Sequence, residues 1–154
     1  QGILKGVGKI EGDVSIGSGA TVSPGNSPGT LEIDGAFSLY DATLAIEIAS
    51  PSLYDVLAIS GNAYFDSGTI DYHFNYTPSL GDSFVFVAAD GGIFGADTMA
   101  YRFFGDLDGL QFQTDLVGNT LVLTTVPEPG AITVMSVGLI AARRRRTRCS
   151  LPRR

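Results

Sequence analysis

GVGKIEGDVSIGSGATVSPGNSPGTLEIDGAFSL, residues 6–39, sets small apolar groups between Gly-centred turns: Val14 and Ile16, then Val22, then Leu31 and Ile33, then Phe37 and Leu39. Strands this short, with a turn every few residues, bury too little surface to stand alone. They suit a β-solenoid, in which each coil packs its few apolar residues against the coils on either side. The intervals between the groups are irregular, so no single repeat length emerges.

Outward from this stretch the period of two continues. TLAIEI places Leu44, Ile46 and Ile48 on one face, YDVLAIS places Leu57 and Ile59 together, and GTIDYHF does the same with Ile70, Tyr72 and Phe74. Alternation of this kind marks half-buried strands. SFVFVAA and TLVLTTV are apolar at successive positions, which predicts strands covered on both faces. Turn residues separate the runs in IDG, ISGN, DSG, SLGD, ADGG and GDLDG, and no helical spacing of apolar residues occurs before Ala131. The expected class is all-β: a β-solenoid of the parallel β-helix kind, or a β-sandwich-like body. Its later part, richer in Tyr and Phe, would serve as a terminal cap or a small sandwich.

Charge divides the chain in two. All sixteen Asp and Glu lie at or before Glu128, offset there only by Lys5, Lys9 and Arg102, so residues 1–142 carry 3 − 16 = −13. The last twelve residues hold seven arginines and no acid. Such asymmetry reads as a body, residues 1–125, and a tail, residues 126–154. The body is long enough for one domain with a core, and 44% apolar composition opposes wholesale disorder. The single cysteine, Cys149, lies in the tail, so no intrachain disulfide forms and its lack does not argue against export. The chain opens without Met and without the apolar core of a signal peptide, which leads us to expect a C-terminal part of a longer exported protein, or a processed form.

GATVSPGNSPGTLEIDGAFSL, LAIEIASPSLYDVLAISGNAYF, LGDSFVFVAADGGIFGAD and GLQFQTDLVGNTLVLTTV succeed one another along the body. In this order the run resembles the C-terminal end of bacterial autotransporter-type β-helix passengers. Those chains carry an SPG-N-SPG turn, a Tyr-Asp pair before a strand and a Gly-Asp before an apolar strand. The resemblance covers roughly residues 6–125, and SPGNSPG is its most specific piece. The alternating strands of a membrane barrel do not come after it.

The body gives way instead to VPEPGAITVMSVGLIAARRRRTR, residues 126–148. Pro127 and Pro129 remove two backbone donors and hold the chain extended, so the segment stays open to an enzyme. The apolar run to Ala142 is expected to be a short hydrophobic helix that satisfies its own backbone in a bilayer, with Arg143, Arg144, Arg145 and Arg146 held on the cytoplasmic side. The thirteen residues from Gly130 to Ala142 give roughly 20 Å of helix against about 30 Å of hydrocarbon. A span so short, eased by arginine snorkelling and local thinning, suits an intermediate awaiting cleavage better than a permanent anchor. Tripeptide, apolar run and Arg cluster together resemble a PEP-CTERM sorting signal. The resemblance implies an exosortase as partner, a membrane enzyme of bacteria that make exopolysaccharide. It would recognise Pro127, Glu128 and Pro129, cut nearby, and send the body to the cell exterior after a transient stay at the inner membrane.

Candidate chemistry within the body is sparse. His73 is the only histidine and lies on the face opposite Tyr72 and Phe74, which reads as a surface or structural residue. With no second His and no body cysteine, His₂ and Cys–His metal sites and cysteine nucleophiles are absent. Asp106 and Asp108 in GDLDG resemble the start of a calcium loop, but Val117 stands where the closing Glu would be. They are the metal candidate, and no cofactor is expected. Tyr64, Phe65, Tyr72, Phe74, Tyr76, Phe84, Phe86, Phe94, Tyr101, Phe103 and Phe104 could form a sugar-stacking platform, although aromatics at strand spacing more often fill a core. Nucleic acid is disfavoured as a partner by the charge of the body.

The expectation is therefore a non-enzymatic surface or extracellular-matrix protein, structural or adhesive, meeting exopolysaccharide. The alternative is a polysaccharide-active enzyme or carbohydrate-binding protein whose functional module lies upstream. A periplasmic protein whose tail is never cut is a third reading.

Overall fold

The computed structural model describes residues 1–128. Every regular element there is a strand apart from one turn of 3₁₀ helix at Ala96–Thr98. The first winding of the chain contributes β1 (Ile3–Gly6), β2 (Gly8–Glu11) and β3 (Val14–Ile16). The next contributes β4 (Thr21–Pro24), β5 (Thr30–Asp34) and the long β6 (Phe37–Ser50), after which β7 (Leu53–Tyr54) folds back on β6. Then come β8 (Val56–Ile59), β9 (Asn62–Phe74), β10 (Ser83–Ala89), β11 (Gly92–Phe94) and β12 (Met99–Phe104), and finally β13 (Gln111–Val117) and β14 (Thr120–Val126).

Successive windings pair in parallel, and the body is a β-solenoid rather than a sandwich. One sheet stacks β2, β5, β8 and β10; the other stacks β1, β4, β6, β9 and β12, with β3, β6, β9 and β11 alongside. β6 and β9 bend at Asp41 and Ser67, both at positive φ, and Tyr40 and Asp41 are exposed in succession where the alternation breaks. The bend splits the second sheet, so each winding has three sides.

Register explains why no repeat length is legible. Val14 pairs with Phe37, Phe37 with Ala63 and Ala63 with Ile93, steps of 23 (14 to 37), 26 (37 to 63) and 30 (63 to 93) residues. The growth falls on the third side and the loop after it, where β4 has four residues but β6 and β9 run on well past the bend.

Inward residues stack by type. Ile10, Ile33, Ile59 and Ala89 align, as do Leu31, Leu57, Val87 and Leu121. Ile46 lies beside Tyr72 and Ile48 beside Phe74, all buried. Each such side chain removed from water contributes about 1.5–3 kcal/mol, which only the neighbouring windings make possible. At the corner between the two sheets, Gly12, Gly35, Gly61 and Gly91 lie one above another, with Gly61 N–H donating to Gly35 O at 2.9 Å and Gly91 N–H to Gly61 O at 3.0 Å. A Cβ on Gly61 would lie 2.7 Å from that carbonyl oxygen, so the corner closes only around glycine.

The Tyr- and Phe-rich end is a cap. β14 pairs antiparallel with β10 and β13 antiparallel with β14, which ends parallel stacking in that sheet. Neither β10 nor β14 is covered on both faces, contrary to the reading of SFVFVAA and TLVLTTV. In β14, Leu121, Leu123 and Thr125 are buried and the residues between them only half-buried. In β10 a register shift between Val85 and Val87 changes the phase of alternation. Phe84, Phe86, Val87 and Ala89 therefore all point inward, while Val85 is exposed.

Candidate functional site

β14 ends at Val126, and Pro127 and Glu128 are exposed immediately after it, as expected where proline cannot extend a ladder. Pro129, the apolar segment, Arg143, Arg144, Arg145 and Arg146 lie outside the described residues, so the expected C-terminal helix does too. Among the described residues no helix is long and apolar enough to cross a membrane.

His73 is an exposed residue of the third side, as its place in GTIDYHF predicts. Its ring stacks on Phe104 at 4.7 Å and 9°, and Glu47 is its register partner on β6. Asn75 donates from Nδ2 to Glu47 Oε1 at 2.6 Å, and Ser23, Ala45, Glu47, His73 and Asn75 line an open depression of about 270 Å³. Beside it, Arg102 donates from Nε and Nη2 to the two oxygens of Asp71, each at 2.7 Å, with its guanidinium 5.8 Å from the Phe104 ring centre. Asp71 is buried among these groups, and the pairing holds the guanidinium above its usual pKa through hydrogen bonding and charge. In the sequence Arg102 is only a charge to be counted. Its partner stands 31 residues away, one winding, a distance that becomes meaningful once the winding length is known.

A second shallow groove, about 230 Å³, crosses the outer face of β2, β5, β8 and β10 between Lys9, Glu32, Asp34, Ser60 and Asp90. Lys9 pairs with Asp34 at 2.7 Å and Ser60 Oγ donates to the same carboxylate at 3.0 Å. Lys9 is the main cause holding the Asp34 pKa below its ordinary value.

SPGNSPG proves to be a stapled loop. The carboxylate of Asp55, which is buried, accepts the N–H of Gly29 on Oδ1 and of Glu47 on Oδ2, both at 2.9 Å. Burial pushes its pKa up, opposed by these two donors. The Tyr54-Asp55 pair is thus the counterpart of the SPG-N-SPG turn, joined to it across one winding. Positive φ falls on Gly25 and Ser27. GNSPG, residues 25–29, also spells Gly-x-Ser-x-Gly, a correction to the expectation from the sequence that no such pattern occurs. That pattern serves a nucleophile at a strand-to-helix turn, and here Ser27 joins strand β4 to strand β5, outside the depression that holds His73.

Asp106 and Asp108 remain in a turn before β13. Asp106 Oδ2 accepts from Thr77 Oγ1 at 3.4 Å, and Asp108 takes positive φ. No group of three or more His, Cys, Asp or Glu able to hold a metal occurs among the described residues.

The aromatics divide by face. Phe65, Tyr72, Phe74, Phe84 and Phe86 are core, with Tyr72 edge-on to Phe86 and stacked on Phe103. Tyr64, Phe94, Tyr101 and Phe104 are among the large apolar side chains left exposed, joined by Tyr40. No protein-family model matches the chain, and no curated protein matches it.

Proposed function

We propose that this chain is an exported surface or extracellular-matrix protein, its solenoid body structural or adhesive and its C-terminal segment a sorting signal processed by an exosortase. The observation that carries this reading is where the body ends. The β13–β14 cap finishes at Val126, and the first two residues of Pro127-Glu128-Pro129 are exposed directly after it. An enzyme cutting there meets an extended substrate without unfolding a strand, and leaves the cap whole. Glu128 acts as a recognition residue of a substrate, catalysis belonging to the partner.

The charge division supports the same reading. The apolar run from Ala131 enters the inner membrane briefly, and Arg143 to Arg146 stay on the cytoplasmic side, which places the acidic body outside. There it faces exopolysaccharide and not nucleic acid, whose phosphates its charge would repel.

Replacing Pro127, Glu128 and Pro129 together by alanine tests the assignment in cells that contain an exosortase. The body should then stay in the membrane fraction, while the unaltered chain moves to the surface or medium. Equal release of both forms would reject the sorting role.

A further inference from the structure

We infer that the side of the coil formed by β3, the first half of β6, the first half of β9 and β11 binds an uncharged polysaccharide, with Tyr64 as its stacking wall. This gives the matrix role proposed above a ligand class and a site, and in that respect rests on it.

Outward residues on this side align in the order Ser15, Ser38, Tyr64, Phe94. The two rings are 45% and 50% exposed. They stack at 5.3 Å and 20°, a spacing near the 4.7–4.9 Å that separates adjacent strands. Both rings lean back along their strands, Phe94 over Gly92 and Tyr64 toward Asn62, and face each other along the coil axis. Phe94 covers one face of Tyr64. The other face looks over Ser38 and Ser15, whose short side chains hydrogen-bond each other at 3.1 Å.

The outcome is a step with an aromatic riser and a hydroxyl-bearing tread. Asn62 Nδ2 donates to the Tyr64 hydroxyl at 2.8 Å and holds the riser in place. An apolar ring face beside a row of hydroxyls matches a pyranose, which has an apolar C–H face and a polar rim. A glycan lying along β6 with one sugar against Tyr64 next meets Tyr40, 58% exposed and paired in register with Asp66. Phe104, the exposed ring of the adjacent side, offers no such face because His73 lies against it and Arg102 over it.

Charge selects among glycans. Asp13 lies at the glycine corner where this side begins, and Asp41 and Asp66 at the bend where it ends, accepting hydrogen bonds from Ala36 N–H, Ser18 Oγ and Ser67 Oγ respectively. The cations among the described residues, Lys5, Lys9 and Arg102, belong to β1, β2 and β12 on the other two sides. A polyanion is repelled here, and a neutral chain is not.

Affinity electrophoresis of the full chain in native gels tests the assignment, with hydroxyethylcellulose, dextran and galactomannan as neutral probes and polygalacturonate as the anionic one. At least one neutral glycan should retard the protein, polygalacturonate should not, and Tyr64→Ala should weaken the retardation at least tenfold while Tyr64→Phe keeps most of it. Ser38→Tyr, which fills the tread and adds aromatic surface, should also abolish binding; a merely sticky apolar patch would gain from it. Both positions are on the outer face, and unchanged thermal unfolding of the variants confirms their fold. Retardation by none of the neutral glycans, equal retardation of Tyr64→Ala, or preference for polygalacturonate would overturn the inference. So would a dimer in solution that Tyr64→Ala dissolves, which would give the face to a second copy. Binding is read on purified protein, so its failure leaves tail processing untouched, and an unprocessed tail leaves binding untouched.

Discussion

Asp55 is a buried carboxylate that ties two windings together. Its two oxygens each take a backbone N–H, one from the SPGNSPG loop and one from β6. Asn in its place offers one acceptor and turns a donor toward the other N–H, so Asp55→Asn should destabilise by about 1–3 kcal/mol in urea unfolding. The pH dependence runs opposite to that of a salt-bridged carboxylate. The folded-state pKa is raised above the ordinary 3.8, so between those two values the folded chain binds more protons than the unfolded one. Ionising the buried carboxyl therefore costs stability as pH rises from 3.8 through the raised value, and the two N–H donors offset part of that cost. That slope should vanish in Asp55→Asn. Gly61 tests the corner in the same way: Gly61→Ala should cost about 1–3 kcal/mol through its clash with Gly35. Gly17→Ala, where a Cβ meets nothing, should change stability by less than about 0.5 kcal/mol. Neither role is legible from the residues alone. Asp before a strand and Gly in a turn are ordinary turn chemistry, and only stacking of windings gives Asp55 its donors and Gly61 its tight neighbour.

Among the elements, the strands themselves were the most legible part of the chain. Leu44, Ile46 and Ile48, Leu57 and Ile59, and Ile70, Tyr72 and Phe74 are buried as their spacing of two predicts. Misreading occurred where a single irregularity alters phase, as at the Val85–Val87 shift, because apolar residues at successive positions look alike whether a strand is covered twice or bulged once. The cap hairpin holds the coil end through rings: Phe112 lies 4.7 Å from Phe103 and 5.1 Å from Phe74. Phe112→Ala should lower stability by about 2 kcal/mol, less than the roughly 3–5 of a fully buried ring because Phe112 is half-buried. Hydrogen exchange should quicken first in β13 and β14. An unchanged urea midpoint would mean that the hairpin does not brace the coil.

For the whole molecule, the charge asymmetry between residues 1–142 and the last twelve is legible in the sequence, and β14 ends at Val126, directly before Pro127. The aromatic step was not visible there, since Tyr64 and Phe65 differ only in which way they point, and Ser38 meets Tyr64 through a separation of 26 residues (38 to 64) that nothing in the sequence marks. The central claim is that the tail is an address removed after use. The most direct test is mass spectrometry of the C-terminal peptide of the mature protein, from cells with an exosortase and from a strain lacking it. A C-terminus near Pro127–Gly130 only in the presence of the enzyme is the predicted result. An intact Arg154 in both strains would contradict it, and would leave the segment after Val126 as a permanent part of the protein.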